Sequence, residues 1–281
     1  MRDSTLFKLS VAASAELPHS YPSILRGDWV ASLRQAKEWG FDAIEIHTGD
    51  PESFPWQEVA RACEELSMGI SGISSGLGFV PERLSVLDED EADRTKARER
   101  FEQYIDLAGR LRCSLIVGLM RGRIPAGTTL ESYQRKFARY MPELISYAQQ
   151  RQVVLVLEGI NRYENNFLCS TKDVLDFIKP FGSPNLKMLL DAYHMNIEDP
   201  DLVDAIYQAK GEVGYFHCSD SNRKVPGFGH IDFTALVRAL WRTGYDGYLT
   251  VEALPFPDPE TAALQSCGLL RNIMNVLATE V

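Results

Sequence analysis

The sequence has 281 residues, of which 45% are hydrophobic, so it can bury a sizeable core as one α/β barrel or as two smaller domains. Its 29 Lys and Arg residues against 39 Asp and Glu residues give a net charge of −10, which argues against nucleic acid as the main partner because phosphate backbones are repelled. No apolar run is long enough to span a membrane or is placed as a secretion signal, so we expect no membrane association.

Short apolar runs alternate with longer amphipathic stretches along the whole chain. Eight of these runs are rich in Val, Ile and Leu with little polar alternation, which is typical of parallel strands buried on both faces. The predicted strands are Lys8–Ser14, Ala43–Thr48, Gly69–Ser75, Leu115–Met120, Val153–Gly159, Leu186–Ala192, Val213–Ser219 and Tyr248–Ala253.

Helix signals lie between these runs. Asp28, Asp232 and the pairs Asp199-Pro200 and Asp258-Pro259 each predict a helix start, and Ser170 with Asp173 predicts a capping box.

Eight strand–helix units without a flexible linker predict one closed (β/α)8 barrel, a TIM barrel, as a single domain over residues 1–281. The alternative is a doubly wound open sheet, which favours a glycine-rich phosphate loop after the first strand. The sequence there reads Ala15-Glu16-Leu17-Pro18 and offers no such loop.

The cysteines are odd in number, scattered and without a CxxC pair, which predicts reduced thiols and a cytoplasmic location. They are Cys63, Cys113, Cys169, Cys218 and Cys267.

The last four predicted strands each end on one ionisable residue after an apolar run: Glu158, Asp191, His217 and Glu252. In a parallel barrel these ends converge on the face that carries active sites. Three carboxylates gathered there repel one another and lose solvation, and a divalent cation removes both costs. An oxygen-rich set with one imidazole favours Mn²⁺ or Mg²⁺, with Co²⁺ and Zn²⁺ as alternatives.

The segments after these strands carry a family resemblance. They read Glu158-Gly159-Ile160-Asn161-Arg162-Tyr163-Glu164, then Asp191-Ala192-Tyr193-His194-Met195-Asn196-Ile197-Glu198, then His217-Cys218-Ser219-Asp220-Ser221-Asn222-Arg223. In these motifs the chain resembles the ketose 3-epimerases of the D-tagatose/D-allulose type, within the xylose-isomerase-like barrels. The segment Gly118-Leu119-Met120-Arg121-Gly122-Arg123 and the loop Pro226-Gly227-Phe228-Gly229-His230 are most similar to the 5-keto-L-gluconate epimerase branch.

The resemblance implies an isomerase that inverts the carbon next to the ketone of a small keto-sugar through an enediolate. It implies one divalent ion, Mn²⁺ first, held by Glu158, Asp191, His217 and Glu252. Glu158 and Glu252 would also act as the acid/base pair. Glu164, His194 and Arg223 would contact the substrate, and a homodimer or homotetramer is expected by analogy.

Arg121 and Arg123 follow the fourth strand, on the predicted active-site face. Arginine binds carboxylates through two parallel hydrogen bonds, so the pair predicts a keto-acid sugar such as a 5-keto-gluconate or tagaturonate. The alternative is that both arginines brace the loop and the substrate is a neutral ketose.

Other activities would use the same metal site. Aldose–ketose isomerisation and sugar dehydration both proceed through enolisation, and they stay open at this level. A non-catalytic sugar-binding barrel would not need two glutamates beside a metal. A DNA endonuclease on this barrel needs several metals and many histidines, and five histidines with a net charge of −10 argue against it.

Overall fold

The computed structural model describes residues 6–15, 21–80 and 82–280. Its centre is a closed parallel barrel whose strands follow chain order, and the first strand pairs with the last. The barrel strands are β1 (Lys8–Ser14), β2 (Ala43–His47), β3 (Gly69–Ser74), β4 (Ser114–Val117), β5 (Leu155–Glu158), β6 (Leu186–Asp191), β7 (Val213–His217) and β8 (Tyr248–Val251). A two-residue strand, Leu25–Arg26, pairs with the end of β1. The predicted (β/α)8 barrel is therefore confirmed.

Helices cover the outside of the barrel and follow the strands in turn. In the described part of the chain they are α1 (Trp29–Glu38), α2 (Trp56–Leu66), α3 (Gly76–Phe79), α4 (Glu91–Leu111), α5 (Leu130–Gln150), α6 (Thr171–Ile178), α7 (Ala192–Glu198), α8 (Leu202–Gln208), α9 (Phe233–Thr243) and α10 (Pro259–Ala278). None of these helices is both long enough and apolar enough to cross a bilayer.

Most predicted helix starts are confirmed. The carboxylates of Asp28, Asp232 and Asp258 each accept from a backbone N–H in the first turn of their helix, and Ser170 forms the expected capping box with Asp173. These contacts satisfy N–H groups that have no partner inside the helix.

The predicted start at Asp199-Pro200 is wrong. Asp199 instead follows the last residue of α7, and its carboxylate accepts from the backbone N–H and the hydroxyl of Thr171. Asp201 is the residue that caps α8. A short helix already occupies the segment before Asp199, so the next one begins two residues later than predicted.

Side chains inside the barrel form layers because strand residues alternate between its interior and the helices. One interior layer is apolar and contains Ile116, Val156, Leu189 and Tyr215. The Tyr215 hydroxyl donates to Ser71 Oγ at 2.6 Å and accepts from Thr250 Oγ1 at 3.0 Å. This layer closes the barrel from below and forms the floor of the site described next.

Candidate metal centre and active site

Four ionisable side chains meet at the carboxyl ends of β5 to β8, where the sequence predicts a metal site. One ligand atom from each of Glu158, Asp191, His217 and Glu252 lies within 4.8 Å of the other three, and all four residues are buried. The first three lie two positions after Val156, Leu189 and Tyr215 of the layer below, and Glu252 lies two positions after Thr250, which donates to Tyr215 of that layer. Because the strand period is two, each ionisable side chain points into the same interior as the floor residue before it.

The residues present suit a divalent cation. His217 Nδ1 is buried and has no hydrogen-bond partner among the described residues. It faces Glu252 Oε2 at 3.5 Å, Asp191 Oδ2 at 3.7 Å and Glu158 Oε1 at 3.8 Å. These separations are too long for hydrogen bonds. Ligand atoms that coordinate the same metal ion at about 2.0–2.2 Å, by contrast, lie roughly 3–4 Å from one another. The cluster could therefore hold a metal ion.

Gly118 makes room for this cluster. It follows β4, and a Cβ atom placed there would lie 3.1 Å from Glu158 Oε2. A larger residue at this position would press directly on one of the four side chains.

The carboxyl groups of the cluster differ in acidity. Burial, and then the charge of Glu252, raises the pKa of Glu158 to about 8. Burial also raises the pKa of Glu252. Burial acts the same way on Asp191, but the charge of Arg223 outweighs it and holds the pKa of that carboxyl below its usual value. At neutral pH the protein without a cation therefore keeps a proton on Glu158.

Arg223, a predicted substrate contact, lies at the cluster. Its guanidinium donates to Asp191 Oδ2 at 2.8 Å and to Glu252 Oε2 at 2.7 Å. A buried carboxylate, Asp220, shapes the loop that presents it by accepting from the backbone N–H groups of Ser221, Gly227 and Ile231. Arg223 has φ +62°, a conformation that this tightly bonded loop imposes. Asp220 is thus a loop-shaping residue that the sequence analysis did not single out.

His194 also lies in the site and is held in one tautomer. Its Nδ1 accepts from the side-chain amide of Asn161 at 2.7 Å, and the same amide donates to Glu164 Oε1 at 3.0 Å. Burial lowers the pKa of His194 to about 3, so the ring is neutral. Because Nδ1 accepts, the proton is on Nε2, which lies 3.8 Å from both Glu158 Oε1 and Asp191 Oδ2. Glu164 itself is exposed at the rim.

The prediction that Arg121 faces the site is wrong. The chain leaves β4 at Val117 and forms a 3₁₀ turn, Leu119–Arg121, which directs the arginine into the protein. The guanidinium is fully buried and donates to the carbonyls of Gly118, Phe167 and Leu168 at 3.0–3.2 Å. Arg121 therefore braces the loop after β5, while Arg123 is exposed.

Three further residues of the site were missed by the sequence analysis. Glu45 is fully buried and lies between two histidines: its Oε1 is 2.6 Å from His47 Nε2 and its Oε2 is 2.9 Å from His217 Nε2. The Tyr21 hydroxyl lies 3.2 Å from His47 Nδ1. The available signal was Glu45 and His47 at spacing two on a strand, which points both into the barrel.

A cavity of about 580 Å³ opens beside His47, at the carboxyl ends of β1 to β3. Its lining includes Ser14, Trp29, Asp50, Phe54 and Leu77. His47 Nε2 is also 4.0 Å from Glu252 Oε1, so the cavity adjoins the four-residue cluster.

A closed parallel barrel with three buried carboxylates and an imidazole at its strand ends defines a (β/α)8-barrel enzyme with a candidate metal centre. A model of the xylose isomerase-like TIM barrel family matches residues 33–273, and the chain belongs to this family.

Named relatives narrow the class further. The chain is 32% identical to an L-ribulose 3-epimerase of Mesorhizobium japonicum over 245 residues, which is 86% of this chain and 81% of the relative. It is 29% identical to a ketose 3-epimerase of Arthrobacter globiformis over 246 residues, 86% of this chain and 83% of the relative. Among solved structures, an L-ribulose 3-epimerase superimposes with a TM-score of 0.83 at 26% identity, covering 97% of each chain. The predicted kinship with ketose 3-epimerases is confirmed, and these relatives are isomerases that act on sugars.

Proposed function

We propose that this protein is a metal-dependent epimerase that inverts the carbon next to the ketone of a keto-sugar. Glu158, Asp191, His217 and Glu252 would hold one divalent ion, with Mn²⁺ as the first candidate. The observation that carries this proposal is the buried Nδ1 of His217, which has no hydrogen-bond partner in the described part of the chain and faces three carboxylates at 3.5–3.8 Å. The names of the relatives support the reaction class.

The two glutamates would exchange the proton. A bound divalent ion supplies Lewis-acid polarisation of the ketone and stabilises the negative charge of the enediolate. Glu158 on β5 and Glu252 after β8 approach the site from separate strands, so one can remove the proton from one face of the substrate while the other returns a proton to the opposite face.

Three residues would bind the substrate oxygens. His194 presents a neutral Nε2–H toward Glu158 and Asp191, which suits donation to a carbonyl or hydroxyl oxygen. Arg223 would contribute a fixed positive charge beside the reacting carbon. Glu164 would accept from a hydroxyl at the rim, since it is exposed and already fixed by Asn161.

The substrate class depends on the two arginines after β4. A keto-acid sugar requires a guanidinium that is free to bind its carboxylate, and Arg121 already donates to three carbonyls. Only Arg123 of that pair is exposed, so the acid-sugar prediction now depends on it. The burial of Arg121 favours the alternative, a neutral ketose, as do the names of the ketose and L-ribulose 3-epimerases. Aldose–ketose isomerisation and dehydration remain alternatives on the same four residues.

The test is a substrate screen in D₂O followed by NMR. The protein is stripped with a chelator, reloaded with Mg²⁺ to avoid paramagnetic broadening, and offered L-ribulose, D-tagatose and a 5-keto-gluconate in parallel. We expect deuterium at the inverted carbon of a ketose, no aldose product and no turnover by the stripped protein.

Each other outcome rejects a defined part of the proposal. Deuterium at C1 together with an aldose product would indicate an isomerase, and loss of water would indicate a dehydratase. Native turnover by the stripped protein would reject the metal. Faster turnover of the keto-acid than of either neutral ketose would support Arg123 as the residue that binds the substrate carboxylate.

The cellular setting also stays a proposal. We infer a cytoplasmic homodimer or homotetramer. All five cysteines are free, which suits a reducing compartment.

A further inference from the structure

Glu45 is a buried carboxylate that takes no part in the proposed proton exchange. It lies on β2, whereas His217 lies on β7, and 172 residues separate them in sequence. Both oxygens of Glu45 are used: Oε1 contacts His47 Nε2 at 2.6 Å and Oε2 contacts His217 Nε2 at 2.9 Å. Burying a carboxylate completely costs free energy of solvation, and these two hydrogen bonds offset that cost for Glu45.

The contacts of Glu45 define which ring nitrogens carry protons. Each contact joins a carboxylate oxygen, which accepts hydrogen bonds, to a ring nitrogen at hydrogen-bond distance. Each histidine must then donate from Nε2. For His217 this leaves Nδ1, the nitrogen that faces the other three members of the cluster, as the one available to a cation.

We propose that Glu45 is a positioning residue for the metal centre: it accepts from His217 Nε2–H across the barrel and thereby presents the Nδ1 lone pair to the ion. The inference rests on the proposed function, because it requires that the four-residue cluster binds a metal. Carboxylates behind a metal-binding histidine fix its tautomer and ring orientation, and their loss typically weakens metal binding by about 10–100-fold.

His47 binds the same carboxylate, and this shared contact provides a way to test the positioning role of Glu45. An amide in place of Glu45 has one oxygen and accepts from only one of the two histidines. The Glu45→Gln substitution therefore forces the other ring to move its proton from Nε2 to Nδ1. Removing His47 as well leaves that oxygen to His217 alone. The Tyr21 hydroxyl, 3.2 Å from His47 Nδ1, ends the network on the other side.

The experiment measures Mn²⁺ affinity of the full-length protein by chelator competition, with no substrate present. We expect Glu45→Ala to bind Mn²⁺ about 10–100-fold more weakly than wild type. Glu45→Gln combined with His47→Ala should recover most of that loss. The matched control is Asp42→Asn, which removes a hydrogen-bonding carboxylate just before β2, at the opposite end of the barrel, and should leave the affinity unchanged.

A second measurement reads the tautomer without any substitution. In the wild-type protein loaded with Zn²⁺, which is diamagnetic, ¹⁵N NMR of labelled histidine should show His217 protonated at Nε2 with a hydrogen-bonded proton signal. This reading decides the proposal even if Glu45→Ala does not fold. A wild-type His217 protonated at Nδ1 overturns it.

The failures of the two proposals are distinguishable. Wild-type protein that binds no Mn²⁺ rejects the metal site, and with it the role of Glu45. Wild-type protein that binds Mn²⁺ while Glu45→Ala binds it equally tightly rejects the role of Glu45 alone.

Discussion

Arg121→Met tests whether the arginine after β4 is a brace or a substrate ligand. Methionine keeps an unbranched apolar stem but leaves the buried carbonyl of Phe167 without its donor. The carbonyls of Gly118 and Leu168 lose a hydrogen bond but keep the backbone N–H groups of Arg121 and Ile160 as donors. The carbonyl left without a donor costs about 1–3 kcal/mol and each of the other two lost hydrogen bonds about 0.5–1.5 kcal/mol, which together give roughly 2–6 kcal/mol.

An opposing effect reduces this cost. Burial lowers the pKa of Arg121 from 12.5 to about 10, which means that the site disfavours the charged form by about 3 kcal/mol. Methionine removes that penalty. The expected net loss in the free energy of unfolding is therefore at most about 3 kcal/mol, or a fall in Tm of up to roughly 10 °C.

The assay combines thermal and denaturant unfolding with kcat/KM on a neutral ketose and on a keto-acid. The control is Arg123→Met, which removes an exposed guanidinium two residues away and should not lower Tm. As a brace, Arg121→Met lowers stability and affects both substrates alike. Unchanged stability together with a selective loss on the keto-acid would refute the reasoning.

Two further predictions concern the cluster itself. Glu158→Gln and Glu252→Gln should each lower kcat by about 10²–10⁴-fold in metal-loaded protein. The control, Glu212→Gln at the opposite end of the barrel, should leave kcat unchanged. A metal-loaded variant with kcat within a few-fold of wild type would show that its glutamate is not the acid or base. Mn²⁺ affinity should rise with pH through about pH 8, because the pKa of Glu158 is raised to about 8 and that of His217 is also raised, so the ion must displace protons from its ligands. Calorimetry at pH 7 in buffers of different ionisation enthalpy should therefore report release of at least one proton, and zero release would contradict the protonated state inferred for Glu158.

Local pattern alone predicted the barrel and the four members of the cluster. The apolar runs fix the strands because parallel strands are buried on both faces, and every predicted run overlaps a barrel strand. Glu158, Asp191, His217 and Glu252 could be identified for the same reason. Each ends its run, and parallel strand ends share one face of the barrel.

Only the tertiary structure decided how Arg121 and Glu45 are used. Arg121 points away from the substrate face because β4 ends at Val117, before the apolar run ends, and a 3₁₀ turn follows. Glu45 meets His217 because barrel closure brings β2 and β7 within reach across the interior. Periodicity along one strand determines which way a side chain points, but its partner on a distant strand depends on how the whole barrel closes.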